Sequence, residues 1–143
     1  MAWKPTKRWG AAYSALYGSG EAPPQPAARK KPVQHERNEQ IKFVVWCQLH
    51  NILHYAIPNG GHRNPIEAAN LKRSGTIAGV PDMCLPLPRS SHHGLYIEFK
   101  WGSNKLTDEQ SWWVAQLKQQ GYAVFVAYSA DEAIEYTRNY LGV

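Results

Sequence analysis

The sequence predicts a single α/β domain: a small mixed β-sheet with helices on both faces. Helix-like and strand-like patterns alternate along the chain from about residue 35 onward. Ile97-Glu98-Phe99-Lys100 alternates apolar with charged side chains, the period-two signature of a half-buried strand. A capped helical segment also separates two strand-like segments, as in a crossover joining parallel neighbours. At 143 residues the chain is one domain, long enough to bury a core, and its 43% hydrophobic content excludes a disordered chain. No apolar run reaches membrane-span length, and the N-terminus lacks the apolar segment of a secretory signal. Cys47 and Cys84 are far apart in apolar surroundings, which argues against a disulfide framework or zinc knuckle and for a reducing, cytoplasmic compartment.

The net charge of +5 is unevenly placed. Residues 1–34 carry six basic residues against Glu21 alone, a balance of +5, while the rest of the chain has ten basic and ten acidic residues. Five of the ten prolines also fall in 1–34, four of them in EAPPQPAARKKP, so this stretch reads as a basic, proline-rich flexible arm. Such an arm suits a polyanion partner; a solvated tail is the commoner use of a charge run. Trp9, Tyr13 and Tyr17 recur at helical spacing. They suit either a short helix docking on a partner or the body, or an arm ordered only by its contacts.

A helix is predicted from about His35 to Leu53, with Ile41, Val44, Val45, Gln48 and Ile52 on its buried side. Glu36 then lies on the flank of that side, in line with Gln40, Phe43 and Cys47, and Glu39 points towards solvent. Glu36 is the glutamate placed to reach an interior site; alternatively it simply favours the positive end of the helix dipole. His54 to Pro58 reads as a short strand, Asn59-Gly60-Gly61 as a turn, and Pro65 to Arg73 as a helix with proline in its first turn. Arg63, Lys72, Arg73 and Lys105 are candidate phosphate contacts, though solvated surface charge is the commoner explanation. Strands follow at Met83–Leu87 and Gly94–Lys100, joined by a polar turn whose His92 and His93 read as surface residues. Thr107 and Gln110 fit a capping box, and Gln110 shares a face with Trp113, Val114 and Leu117, so it can point at the sheet. That helix ends at Gly121; a strand over Tyr122–Tyr128 and a helix over Asp131–Leu141 complete the chain.

The chemistry concentrates between Gly79 and Lys100. Asp82 opens the second strand and Glu98 lies late in the third, so a hairpin pairing sets both carboxylates at one end of one face. Two carboxylates with room for a backbone carbonyl and water suit Mg²⁺ or Mn²⁺, hard ions that keep several waters. Lys100, on the same face as Glu98, is placed to orient a water or neutralise a phosphate in the transition state. Glu36 is a candidate to complete the shell, and Gln110 to hydrogen-bond a ligand or water. The bland alternative is a buried ion pair serving architecture alone, a weak stabiliser because desolvation opposes the attraction.

The pattern Pro81-Asp82 … Glu98-Phe99-Lys100 resembles the PD-(D/E)xK nuclease motif. The wider sequence resembles the VRR-NUC (virus-type replication–repair nuclease) family, especially its small stand-alone phage and prophage members. The matching pieces are Glu36-x-x-x-Gln40, Ile57-Pro58-Asn59-Gly60-Gly61-x-Arg63, Leu71-Lys72, Gly79-Val80-Pro81-Asp82, Gly94 to Lys100, Leu106-Thr107-x-x-Gln110 and Gly121-Tyr122. They span about residues 35–141; the arm lies outside them, so the domain is expected over 35–143. The resemblance implies a restriction-endonuclease-like core and a metal-dependent DNA endonuclease of a bacterial or phage-infected cell. It implies metal binding by Asp82, Glu98 and the Phe99 carbonyl, with Glu36 as the helix-borne acid, and catalytic roles for Lys100 and Gln110. It also implies branched DNA such as four-way junctions as substrate, and a dimer in which each subunit cuts one strand. Two further readings stand beside it: a DNA-binding accessory module with little catalysis, and a nuclease acting mainly on flaps or nicks.

Overall fold

The computed structural model describes residues 34–58 and 64–143. Residues 1–33 of the arm, the Asn59-Gly60-Gly61 turn and Arg63 lie outside them, and Gln34, expected to end the arm, opens the first helix instead. The first helix, α1, spans Gln34–Leu49, shorter than the predicted run to Leu53. Its end has a local cause. Asn51 takes a left-handed conformation (φ 54°), its N–H donates to the Gln48 carbonyl at 3.2 Å, and the Ile52 N–H reaches back to Cys47 O at 2.9 Å. These two bonds close the helix in a Schellman motif, with asparagine supplying the left-handed residue. Ile52 therefore packs on the core from beyond the helix, not as part of its face.

The buried face of α1 also differs from the prediction. Phe43 and Cys47 are fully buried, whereas Ile41 is 53% and Val45 47% exposed, and Gln48 is exposed. Apolar residues run almost all round this helix, so periodicity alone does not single out the side that meets the sheet. Glu39 is likewise not a solvent-facing residue. Its Oε2 accepts the Ala130 N–H at 2.7 Å, tying α1 to the first turn of the last helix, and Lys42 Nζ lies 2.6 Å from its other oxygen. The Ala130 N–H, and then Lys42, hold the Glu39 carboxyl below the usual carboxylate range.

Strand β1 (Tyr55–Ala56) precedes helix α2 (Pro65–Arg73), which starts as predicted, with Asn64 Oδ1 accepting the Glu67 N–H at 2.8 Å and Pro65 in the first turn. Strands β2 (Met83–Leu85) and β3 (Leu95–Phe99) form the expected antiparallel hairpin, with Met83 opposite Ile97. Helix α3 (Asp108–Gln119) then crosses to β4 (Ala123–Ala127), which pairs parallel to β3, and α4 (Ala130–Leu141) follows. The sheet order is β1-β2-β3-β4. The predicted strands and last helix are present with ends shifted by one to two residues.

Strand β3 divides the molecule into two layers. Leu95, Ile97 and Phe99 are fully or almost fully buried in one core with Met83, Leu85, Phe43, Cys47, Ala127, Ala130 and Ala133, beneath α1 and α4. Phe43 meets Phe99 at a ring-centroid separation of 5.9 Å. Tyr96 and Glu98 point the other way, towards α3. Helices thus lie on both faces of the sheet, and the side chains singled out for chemistry occupy the α3 face. In the β2–β3 turn, His93 lies edge-on to Tyr122 at 5.7 Å and His92 faces Tyr140 at 6.3 Å, so neighbouring aromatics account for both histidines.

Candidate active site

Four elements bring the candidate residues together. Gly79, at φ 91°, leads the chain through Pro81, which is buried, into Asp82. A Cβ at Gly79 would lie 2.8 Å from Glu109 Cβ and 2.9 Å from the Glu109 backbone carbonyl, so glycine is required for this segment to press against the start of α3. Continuing the β2–β3 register one step past Met83 and Ile97 sets Asp82 opposite Glu98. The Asp82 backbone carbonyl accepts the Ile57 N–H at 2.7 Å, and its side-chain Oδ2 accepts the Phe99 N–H at 2.8 Å. A carboxylate bonded by a backbone donor is held in one orientation.

Glu98 is 3% exposed. Its Oε1 receives Lys100 Nζ at 3.1 Å and also the Gln110 side-chain amide. Lys100, itself 7% exposed, continues the strand direction through its own N–H, which donates to Ala127 O at 2.9 Å. Gln110 acts through both ends of its amide. Its Oε1 accepts the Thr107 N–H at 2.9 Å while Thr107 Oγ1 accepts the Gln110 N–H, completing the predicted capping box, and its Nε2 is the group that meets Glu98. The first turn of α3 and the carboxylate of β3 are therefore fixed by one side chain.

Glu36 stands in the first turn of α1, and its Oε1 is reached by Asn104 Nδ2 at 3.4 Å. Glu36 thus joins the loop that follows Lys100. Among the described residues, no three histidine, cysteine, aspartate or glutamate side chains converge as a preformed metal shell. Asp82 and Glu98 occupy opposed positions of the β2–β3 hairpin, one step past the Met83–Ile97 pair. Lys72 and Arg73, in the last turn of α2, and Lys105, in the loop before α3, are all exposed.

Sequence reading missed Glu109. It is 4% exposed in the first turn of α3, directly against Gly79. An acid at that position is already accounted for by the helix dipole, so no pattern marks it for burial. Asn104 was missed too, because its bond to Glu36 joins residues 68 positions apart. One step along the α3 face lies Tyr96, opposite Cys84, which in turn sits opposite Tyr55. Burial pushes the Tyr96 phenol above its usual range, so this flank of the site stays neutral. A depression along α4, lined by Asp131, Ile134, Glu135, Arg138, Asn139 and Val143, contains none of the candidate residues. The carboxylates instead lie at one end of the two central strands, β2 and β3.

A family model, that of the VRR-NUC domain, matches residues 25–131. The chain belongs to the VRR-NUC family. A solved structure described as a VRR_NUC domain protein is similar to it at 27% identity and a TM-score of 0.59, covering 78% of this chain and 91% of the other. No curated protein matches the chain. The family is a nuclease-type family, and the fold is its α/β core: a mixed four-stranded sheet with flanking helices. Among the described residues no helix is long and apolar enough to cross a membrane.

Proposed function

We propose that this VRR-NUC chain is a divalent-metal-dependent DNA endonuclease, selective for branched DNA such as four-way junctions and acting as a homodimer that cuts one strand per subunit. The observation that carries the reading is Glu98: a carboxylate 3% exposed, addressed at one oxygen by both Lys100 and Gln110, and set opposite Asp82. Removing a carboxylate and an ammonium from water opposes folding, and such a pair is a weak device for stability. Its use is better sought in chemistry.

The donor set fits a hard ion. Asp82 and Glu98 supply carboxylate oxygens and the Phe99 carbonyl supplies another, with no thiolate or imidazole among them. A set this small matches Mg²⁺ or Mn²⁺, which retain waters in their shell. A carboxylate has roughly four acceptor positions, so the Phe99, Lys100 and Gln110 donors orient these groups while leaving them able to ligate. When bound, such an ion lowers the pKa of a ligated water and offsets the charge of the attacked phosphate.

The chain's own residues do the rest. Gln110 fixes the Glu98 carboxylate against rotation, and the Phe99 N–H does the same for Asp82. Lys100, whose ammonium already sits at Glu98, points its remaining N–H donors at a phosphate oxygen or the attacking water. Glu36, restrained by Asn104, is the helix-borne acid at the edge of the site. Lys72, Arg73 and Lys105, with Arg63 and the basic arm, contribute phosphate contacts that hold the duplex without reading sequence.

The test is cleavage of labelled four-way junction, flap and linear duplex by the wild type and Glu98→Ala, each with Mg²⁺, Mn²⁺ or EDTA. Junction cutting that is lost with EDTA and with Glu98→Ala is expected. Equal cutting of all substrates would keep the chemistry and remove the selectivity. Intact binding with no wild-type cutting would refute the nuclease reading in favour of an accessory DNA-binding module.

A further inference from the structure

The loop that follows Lys100 carries an aromatic surface that the nuclease chemistry above does not use. Trp101, the next residue after Lys100, is 41% exposed, and its ring stacks on His35 at 4.4 Å between centroids and 14° between planes. The loop under it is anchored at several points. Asn104 N–H donates to Trp101 O at 3.0 Å, Asn104 Nδ2 to Glu36 at 3.4 Å, and Tyr128 Oη to Asn104 O at 3.2 Å. Tyr128 is itself 38% exposed and follows β4 directly, so aromatic rings gather at the carboxyl ends of the parallel strands β3 and β4. An exposed tryptophan leaves a large apolar face in water, and here that face is held in one orientation against the start of α1, in the loop that directly follows the proposed catalytic lysine.

We propose that the Trp101–His35 stack is a nucleobase platform, which takes an unpaired base of the DNA next to the phosphate being cut. The inference rests on the endonuclease reading and adds what selects the substrate. A π-face accepts any base and demands only that the base be out of its duplex stack, so it distinguishes opened DNA from paired DNA without reading sequence. The neighbouring Lys105 supplies a cation for the adjoining backbone. Because the platform is already ordered, little side-chain freedom is lost when a base docks.

The test is binding of fluorescent single-stranded, forked and fully paired DNA by the full-length chain in EDTA, where cleavage plays no part. Trp101→Ala is expected to weaken binding of single-stranded and forked DNA about 5- to 150-fold, the factor that about 1–3 kcal/mol of base stacking corresponds to. Fully paired DNA is expected to change by less than about twofold on the same scale, and Trp101→Phe to retain most of the affinity. An abasic spacer at the fork junction should reproduce the loss in the wild type and add little in Trp101→Ala, since the two changes then remove one contact. Equal losses on all DNAs, no loss, additive losses, or a change in sedimentation showing that Trp101 is a subunit contact would each overturn the platform. A chain that binds in this way but never cuts would refute the nuclease chemistry alone.

Discussion

Replacing Gln110 with glutamate exchanges one amide nitrogen for a carboxylate oxygen and should have a distinctive pH signature. The acceptor to the Thr107 N–H survives, but the amide donor to Glu98 becomes a second carboxylate oxygen. Two charges at about 3 Å repel by about 5 kcal/mol at an effective dielectric constant of about 20, an upper bound because Lys100 sits 3.1 Å from Glu98 and offsets part of it. The pair escapes most of this repulsion by taking up a proton and sharing it. The penalty is then set by protonating a carboxyl of ordinary pKa about 4.3: about 3–4 kcal/mol at pH 7, and about 1 at pH 5. An acid whose folded pKa is raised destabilises at high pH and recovers as pH falls, so Gln110→Glu should regain about 2–3 kcal/mol between pH 7 and pH 5. Gln110→Ala loses the same donor without adding charge. It should cost about 2–3 kcal/mol with little pH dependence over that window. Urea unfolding of both variants at several pH values reads the difference directly. A Gln110→Glu chain as stable as the wild type at pH 7, or less stable by an amount that does not vary with pH, would refute the placement of Gln110 against Glu98.

Other expectations follow from single contacts. Glu39→Gln should cost about 1 kcal/mol at pH 7 by weakening the bond to the Ala130 N–H; because the folded carboxyl is depressed, that stability is present above the unfolded pKa and disappears as pH falls through the folded one, so wild type and variant should converge in acid denaturation. Gly79→Ala should destabilise by about 2–4 kcal/mol, since its Cβ meets Glu109 backbone at 2.9 Å and its φ is 91°. At Gly121, also left-handed, the obstructing atoms belong to the His93 ring, which can swing aside, so Gly121→Ala should cost less in the same melting experiment. Phe43→Ala should cost about 3–5 kcal/mol and Val45→Ala under about 1, an inequality that checks which side of α1 faces the sheet.

What the sequence made legible was whatever local chemistry decides. The alternation of Ile97-Glu98-Phe99-Lys100 splits two faces with no tertiary information, and the Thr107–Gln110 spacing announces its own hydrogen bonds. Asn64 and Pro65 start α2 in the same self-contained way. The errors arose where the deciding partner is remote. The buried side of α1 is chosen by Phe99 and α4, and with Ile41, Phe43, Val44, Val45, Trp46, Cys47 and Leu49 spread round the helix, no moment points to it. Glu39 found the Ala130 N–H across 91 residues, a contact that only the packing of α1 on α4 creates. The predicted helix overruns the end of α1 because Ile52 continues its apolar spacing, although asparagine just past an apolar run is a recognisable stop. In the site, strand alternation and the hairpin suffice to set Asp82 opposite Glu98, whereas the Glu36–Asn104 bond depends on how a helix and a loop happen to meet.

The burial of both cysteines has a practical corollary. Cys47 has no exposed surface and Cys84 only 2%, and burial pushes the Cys47 thiol up to about 12. Since these are the chain's two cysteines, the folded protein offers alkylating dyes and spin labels no ready thiolate. A cysteine introduced at an exposed position such as Ser103, in the anchored loop beside Trp101, would therefore be the one thiol that reacts under native conditions. A probe attached there could report on that loop as DNA arrives, with both natural cysteines left in place.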